Sequence, residues 1–93
     1  MTTLEVGESV NGKIIRANDG DRLRVTLSDA SANGRHWFPT SVCPGTLTML
    51  HVSCRDGVSE FLYTIKTTPT TLQLEYRRPN EAMPSDTYTL HIV

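Results

Sequence analysis

Apolar and polar residues alternate along most of this chain with a period of two, the pattern of strands buried on one face. Residues 22–27 are the clearest case: Leu23, Val25 and Leu27 share one face, and Arg22, Arg24 and Thr26 the other. The same phase turns Phe61, Tyr63 and Ile65 inward within 61–66, Leu72, Leu74 and Tyr76 within 70–76, and Tyr88, Leu90 and Ile92 within 87–93. Residues 46–54 read as a further strand with Leu50, Val52 and Cys54 on its buried face, and 13–17 as another. Leu4 to Val6 and the stretch around Trp37-Phe38 supply edges, and no window reads as a helix.

Glycine and proline fall between these runs or at their ends, where turns need unusual φ or cannot use an N–H donor. Asp19-Gly20 is a hairpin-type dipeptide, because both residues tolerate positive φ. The frequent threonines suit the solvated face of a strand. The pattern predicts an all-β fold, an immunoglobulin-like antiparallel β-sandwich of about seven to eight short strands. At 93 residues the chain is one domain, 1–93, since two halves would each be too small to fold unaided.

Composition narrows the function. Nine Lys and Arg stand against ten Asp and Glu, a formal charge of −1. Nucleic-acid binders and proteins that settle on anionic membranes carry a basic excess, so neither partner is expected. The start, Met1-Thr2-Thr3-Leu4-Glu5-Val6, is neither basic nor apolar enough for a secretory leader, and no run approaches the ~18 apolar residues of a membrane helix. A cytoplasmic location is the default expectation.

The connections at 28–36, 55–59 and 77–86 are longer or odder than a hairpin needs. Alternate connections of a sandwich emerge at the same end, so these are expected to cluster, as binding loops on rigid β-scaffolds do. Their order resembles the chagasin family, inhibitors of papain-like cysteine peptidases. That family's first loop carries N-P-T-T-G-aromatic and then Trp; here the stretch is Ala30-Ser31-Ala32-Asn33-Gly34-Arg35-His36-Trp37, with Gly34 and Trp37 in register. The family's second loop is glycine-rich, and Asp56-Gly57 stands in its place. The third begins R-P-aromatic after a strand ending in Tyr, and here reads Tyr76-Arg77-Arg78-Pro79-Asn80. The chain departs from the family at Ala30 and Ser31 for Asn-Pro, Arg35 for the aromatic, Asp56 for a glycine and Asn80 for the last aromatic.

The resemblance implies an immunoglobulin-like fold and a reversible, non-covalent plug for the cleft of a papain-like cysteine peptidase. The first loop would cover the catalytic cysteine, and the other two would grip either side. It implies contact residues Ala30, Ser31, Ala32, Asn33, Gly34 and Arg35, then Arg55, Asp56 and Gly57, then Arg78, Pro79 and Asn80. Gly34 has no Cβ to obstruct close approach, although Asn33-Gly34 is equally a tight turn that needs no partner. Arg78 is of a type enriched in interface anchors, or else pairs with a surface carboxylate. Trp37 is expected in the core. The other reading is a non-inhibitory immunoglobulin-like binding or structural module.

Other chemistry has less support. His36, Cys43, His51 and Cys54 are zinc-ligand types, but their spacing lacks the paired clips of structural sites, and the phase makes Cys54 a buried, inert thiol. Neither metal nor cofactor is expected. A Cys43–Cys54 bridge stays open from sequence. Cysteine and histidine are both available for a nucleophile pair, yet nothing sets a base or an oxyanion site beside either thiol, so no enzyme is expected.

Overall fold

The computed structural model describes residues 2–29, 34–40 and 45–93. Within them eight strands form two four-stranded sheets. The strands are β1 (Thr3–Val6), β2 (Ile14–Ile15), β3 (Arg22–Ser28), β4 (His36–Thr40), β5 (Leu47–Arg55), β6 (Val58–Ile65), β7 (Thr70–Arg77) and β8 (Asp86–Ile92). One sheet has the order β1-β3-β6-β5 and the other β2-β8-β7-β4. A short 3-10 turn at Glu8–Val10 lies between β1 and β2 and is absent from the strand pattern, being too short to show a period.

The sandwich is mixed rather than wholly antiparallel. β1 runs parallel to β3 and β2 parallel to β8, both at sheet edges. The cause is the crossover: the chain leaves β1 in one sheet, visits β2 in the other and returns to β3. The Asp19-Gly20 turn therefore joins strands of different sheets and is not a hairpin. The tight hairpin is at Asp56-Gly57 between β5 and β6, where both residues have positive φ, 54° and 75°. That is the pairing a two-residue turn needs to match the strand twist.

The core is the set of period-two positions on the central strands. Leu23, Val25 and Leu27 of β3 and Phe61, Tyr63 and Ile65 of β6 face Leu72 and Leu74 of β7 and Tyr88, Leu90 and Ile92 of β8. Burial of the Tyr63 and Tyr88 phenols pushes both pKa values up to about 12, because desolvation disfavours the phenolate. The Tyr88 hydroxyl donates to the Gly7 carbonyl at 2.9 Å. Asp21, at the start of β3, accepts the backbone N–H groups of Asn18 and Thr2. These donors hold its carboxyl below the usual aspartate range.

Five expected burials fail or are only partial, all away from the sheet centres. Leu50 and Val52 are 46% and 52% exposed, and Cys54 is exposed. β5 is an edge strand, and its register shifts between Met49 and His51, leaving Leu50 as an extra residue. Val52 and Cys54 do stand opposite the inward-facing Phe61 and Ser59. Tyr76, near the end of β7, is only half-buried, and so is Trp37, which packs against the margin of the core. A period-two pattern selects a face, but a neighbouring strand and an opposing sheet decide whether that face is covered.

Leu74→Ala should cost about 2–5 kcal/mol in urea unfolding, whereas Val52→Thr should change stability by less than about 0.5 kcal/mol. Equal costs would mean that β5 is packed like a central strand.

Candidate functional site

The strand registers bring all three unusual connections to one end. β3 finishes at Ser28 opposite Val58, so the connection after β3 leaves beside the β5–β6 hairpin. His36 at the start of β4 lies opposite Arg77 at the end of β7, and Tyr76 opposite Asp86 at the start of β8. Asp29, Gly34 and Arg35, the turn at 56–57 and the segment 78–85 thus share an end. Of the predicted contact residues, Gly34, Arg55, Asp56, Gly57, Pro79 and Asn80 are exposed there, and Arg35 and Arg78 are half-buried. Ala30, Ser31, Ala32 and Asn33 lie outside the described residues, as does Cys43.

These connections are tied to one another by residues that the strand pattern did not mark as functional. Asp29, 1% exposed, follows the last inward leucine of β3. Its backbone N–H donates to the Gly57 carbonyl at 2.7 Å, joining the first connection to the second. Its carboxylate accepts from Ser59 Oγ at 2.8 Å and lies 3.2 Å from His36 Nδ1 and 3.8 Å from Cys54 Sγ. One signal for Asp29 was present in sequence: it continues the inward series Leu23, Val25, Leu27. A carboxylate at a core position is rarely left without polar partners.

The first and third connections are joined by a charged fork. Arg35 Nε and Nη2 donate to the two carboxylate oxygens of Glu81 at 3.1 and 3.4 Å. Glu81 also accepts the Arg78 backbone N–H at 2.8 Å. That N–H is the main reason the Glu81 carboxyl sits below the usual glutamate range; Arg35 adds to the effect and partial desolvation opposes it. Arg77 supports the third connection from below. Its Nη1 donates to the carbonyls of Arg78 and Pro79, its Nε pairs with Glu75 at 3.2 Å, and its guanidinium lies 4.9 Å from the Phe38 ring centroid. No sequence period links Arg35 to Glu81, which are 46 residues apart.

Trp37 sits under the first connection. Its Nε1–H donates to the Ser28 carbonyl at 2.9 Å, and its ring meets Tyr76 at a centroid distance of 5.2 Å. Trp37, Tyr76 and Tyr88 line a cavity of about 290 Å³ with Glu8, Asn11, Ser28 and Asp86. Cys54 is a free thiol, not bridged and not buried. His51, one of the suggested zinc ligands, stands opposite Leu62, on the other face of β5 from Cys54.

The architecture defined by these sheets and connections has counterparts among solved structures. No family model matches the sequence, and no curated protein matches it. The fold is shared with the cysteine protease inhibitor EhICP2 from Entamoeba histolytica, with a TM-score of 0.84 and 18% identity over 99% of this chain and 94% of that one. Amebosin, solved in solution, is similar at a TM-score of 0.76 and 19% identity, covering 96% of this chain and 94% of its own. The immunoglobulin-like sandwich expected from the alternation and the turns is therefore the fold.

The Arg35–Glu81 fork has a signed pH dependence. A carboxyl whose folded pKa is depressed contributes fully above its unfolded value, about 4.3, and loses that contribution as pH falls through the folded value. Hydrogen exchange at the Arg78 amide should accelerate as pH is lowered below about 4 relative to the core amides. In Glu81→Gln, whose neutral side-chain carbonyl still accepts the Arg78 N–H, the amide should show no such relative step. Asp21 titrates in the same direction at the opposite end of the sandwich, so an unchanged step in Glu81→Gln would assign the effect to another group.

Proposed function

We propose that this chain is a reversible, non-covalent inhibitor of papain-like cysteine peptidases that seats its three clustered connections in the active-site cleft. The observation that carries the reading is the linkage of those connections, through Asp29 N–H to Gly57 O and Arg35 to Glu81, on a fold shared with a cysteine protease inhibitor. Loops fixed before binding lose less conformational entropy on docking, which raises affinity without new contacts. In this reading the protein is no enzyme: it occupies the cleft, and no bond is made or broken.

Gly34 would approach the nucleophile. It is exposed, has φ +77°, and a Cβ built there meets nothing within 4 Å among the described residues. The space its missing side chain leaves is thus open to a partner. Arg55, Asp56 and Gly57 would contact one wall of the cleft, and Arg78, Pro79 and Asn80 the other. Ala30, Ser31, Ala32 and Asn33 would complete the first loop. Arg35 is used differently: it replaces the family's aromatic and is engaged with Glu81, so it contributes by bracing the loops rather than by reaching outward.

That internal use of Arg35, together with Asn80 in place of an aromatic, favours the second reading, a non-inhibitory binding or structural module on the same scaffold. Aromatics supply much of the energy of a protein interface.

Titration against papain and a cathepsin L-like peptidase separates the two. Saturable, competitive loss of peptidase activity is the expected outcome; full activity at micromolar protein would leave the module reading. Gly34→Trp should abolish inhibition while costing only about 1–2 kcal/mol of stability from backbone strain, and Arg78→Ala should weaken inhibition about tenfold or more. A Gly34→Trp protein that inhibits normally would remove the first connection from the cleft.

A further inference from the structure

Among the described residues, three different metal-ligand types converge at the base of the first connection. They are the Asp29 carboxylate, the His36 imidazole and the Cys54 thiol, with their ligand atoms within 4.8 Å of one another. They come from the residue after β3, the start of β4 and the end of β5. Asp29 Oδ2 is 3.2 Å from His36 Nδ1 and 3.8 Å from Cys54 Sγ. A tetrahedral ion with metal–ligand bonds of about 2.0–2.3 Å holds its ligand atoms roughly 3.3–3.6 Å apart. The two separations from Asp29 are thus within a few tenths of an ångström of that spacing, and His36 and Cys54, within 4.8 Å of each other, close on an ion by side-chain rotation.

We propose that Asp29, His36 and Cys54 form a binding site for one zinc-type divalent cation, with water as fourth ligand. The donor set of one thiolate, one imidazole and one carboxylate suits a borderline-soft ion and disfavours magnesium or calcium, which take oxygen ligands. On binding, Cys54 loses its proton to solvent and its thiolate takes the metal. Neutral His36 carries its remaining proton on Nε2 and offers Nδ1. The hydrogen bonds from His36 and Cys54 to Asp29 are replaced by metal bonds. Carboxylate and thiolate together balance the dipositive ion. Ser59 Oγ, 2.8 Å from Asp29 Oδ2, stays as the outer hydrogen-bond donor that orients the carboxylate. The exposed Cys54 and the 42% exposed His36 side chain leave a path from solvent. A bound ion would clamp both ends of the first connection to the strand that leads into the β5–β6 hairpin, whether or not those connections meet a peptidase.

Co²⁺ titration of the full chain, prepared reduced and carrying Cys43→Ser to remove the other thiol, tests the site. The expected result is one Co²⁺ per chain with the visible bands of a tetrahedral centre and a thiolate charge-transfer band, displaced by Zn²⁺. Adding Cys54→Ser should abolish the charge-transfer band and weaken Zn²⁺ binding at least tenfold, with the circular dichroism of the fold retained. Ser59→Ala should weaken binding about tenfold while keeping the spectrum. Absence of the bands in the Cys43→Ser protein, or their survival in Cys54→Ser, would overturn the proposal. Each readout is metal binding itself, so the result is independent of peptidase inhibition.

Discussion

The loop-bearing end of this sandwich depends on one buried carboxylate. Asp29 takes the position that the β3 alternation reserves for a core side chain, and it is 1% exposed. A charge placed there is tolerable only with polar groups turned toward it. Ser59 from β6 and His36 from β4 supply them, with the weaker Cys54 thiol of β5 alongside. Satisfying one carboxylate thus requires strands of both sheets to meet at a fixed distance. The same residue donates its backbone N–H to Gly57, so the constraint sets the first connection against the hairpin. An unmet carboxylate would be far more costly than any of these bonds is individually stabilising.

A second layer of coupling uses charge on the surface. The Arg35–Glu81 fork and the Arg77 contacts to the carbonyls of Arg78 and Pro79 fix the third connection to the first and to β4. Isolated exposed ion pairs contribute little, but a bidentate, half-buried Arg–carboxylate pair adds direction as well as attraction. Its value here is to reduce the number of arrangements the loops adopt, more than to raise global stability. A rigid scaffold with braced loops is the physical requirement for docking into a preformed cleft without a large ordering cost.

The sheet edges explain the remaining features. β3 and β6, and β8 and β7, each have a neighbour on both sides and an opposing sheet, and among the described residues they hold all the fully covered apolar side chains. β5 has a strand on one side only, and the extra residue Leu50 bends its ladder. Bulges are one of the ways in which edge strands avoid pairing with other chains. Apolar Met49, Leu50 and Val52 remain partly exposed as a result.

What the sequence alone determined was the fold class, the central strands and their inward faces, since those follow from alternation and turn chemistry within a few residues. The inward triplets of β3, β6 and β8 are legible in this way, whereas residues 55–59, expected as a connection longer or odder than a hairpin needs, close as the tight Asp56-Gly57 turn. The parallel edges, the exposure of Leu50, Val52 and Cys54, and the half-burial of Trp37 were decided by the tertiary structure, because coverage depends on strand order and on the opposing sheet. The candidate site divides along the same line. Gly34, Asp56-Gly57 and Arg78-Pro79 are legible as loop residues from their spacing. Asp29 left only the faint signal of a carboxylate in a core phase. The Arg35–Glu81 pair left none, because its partners meet only after two sheets have packed and brought distant segments to one end.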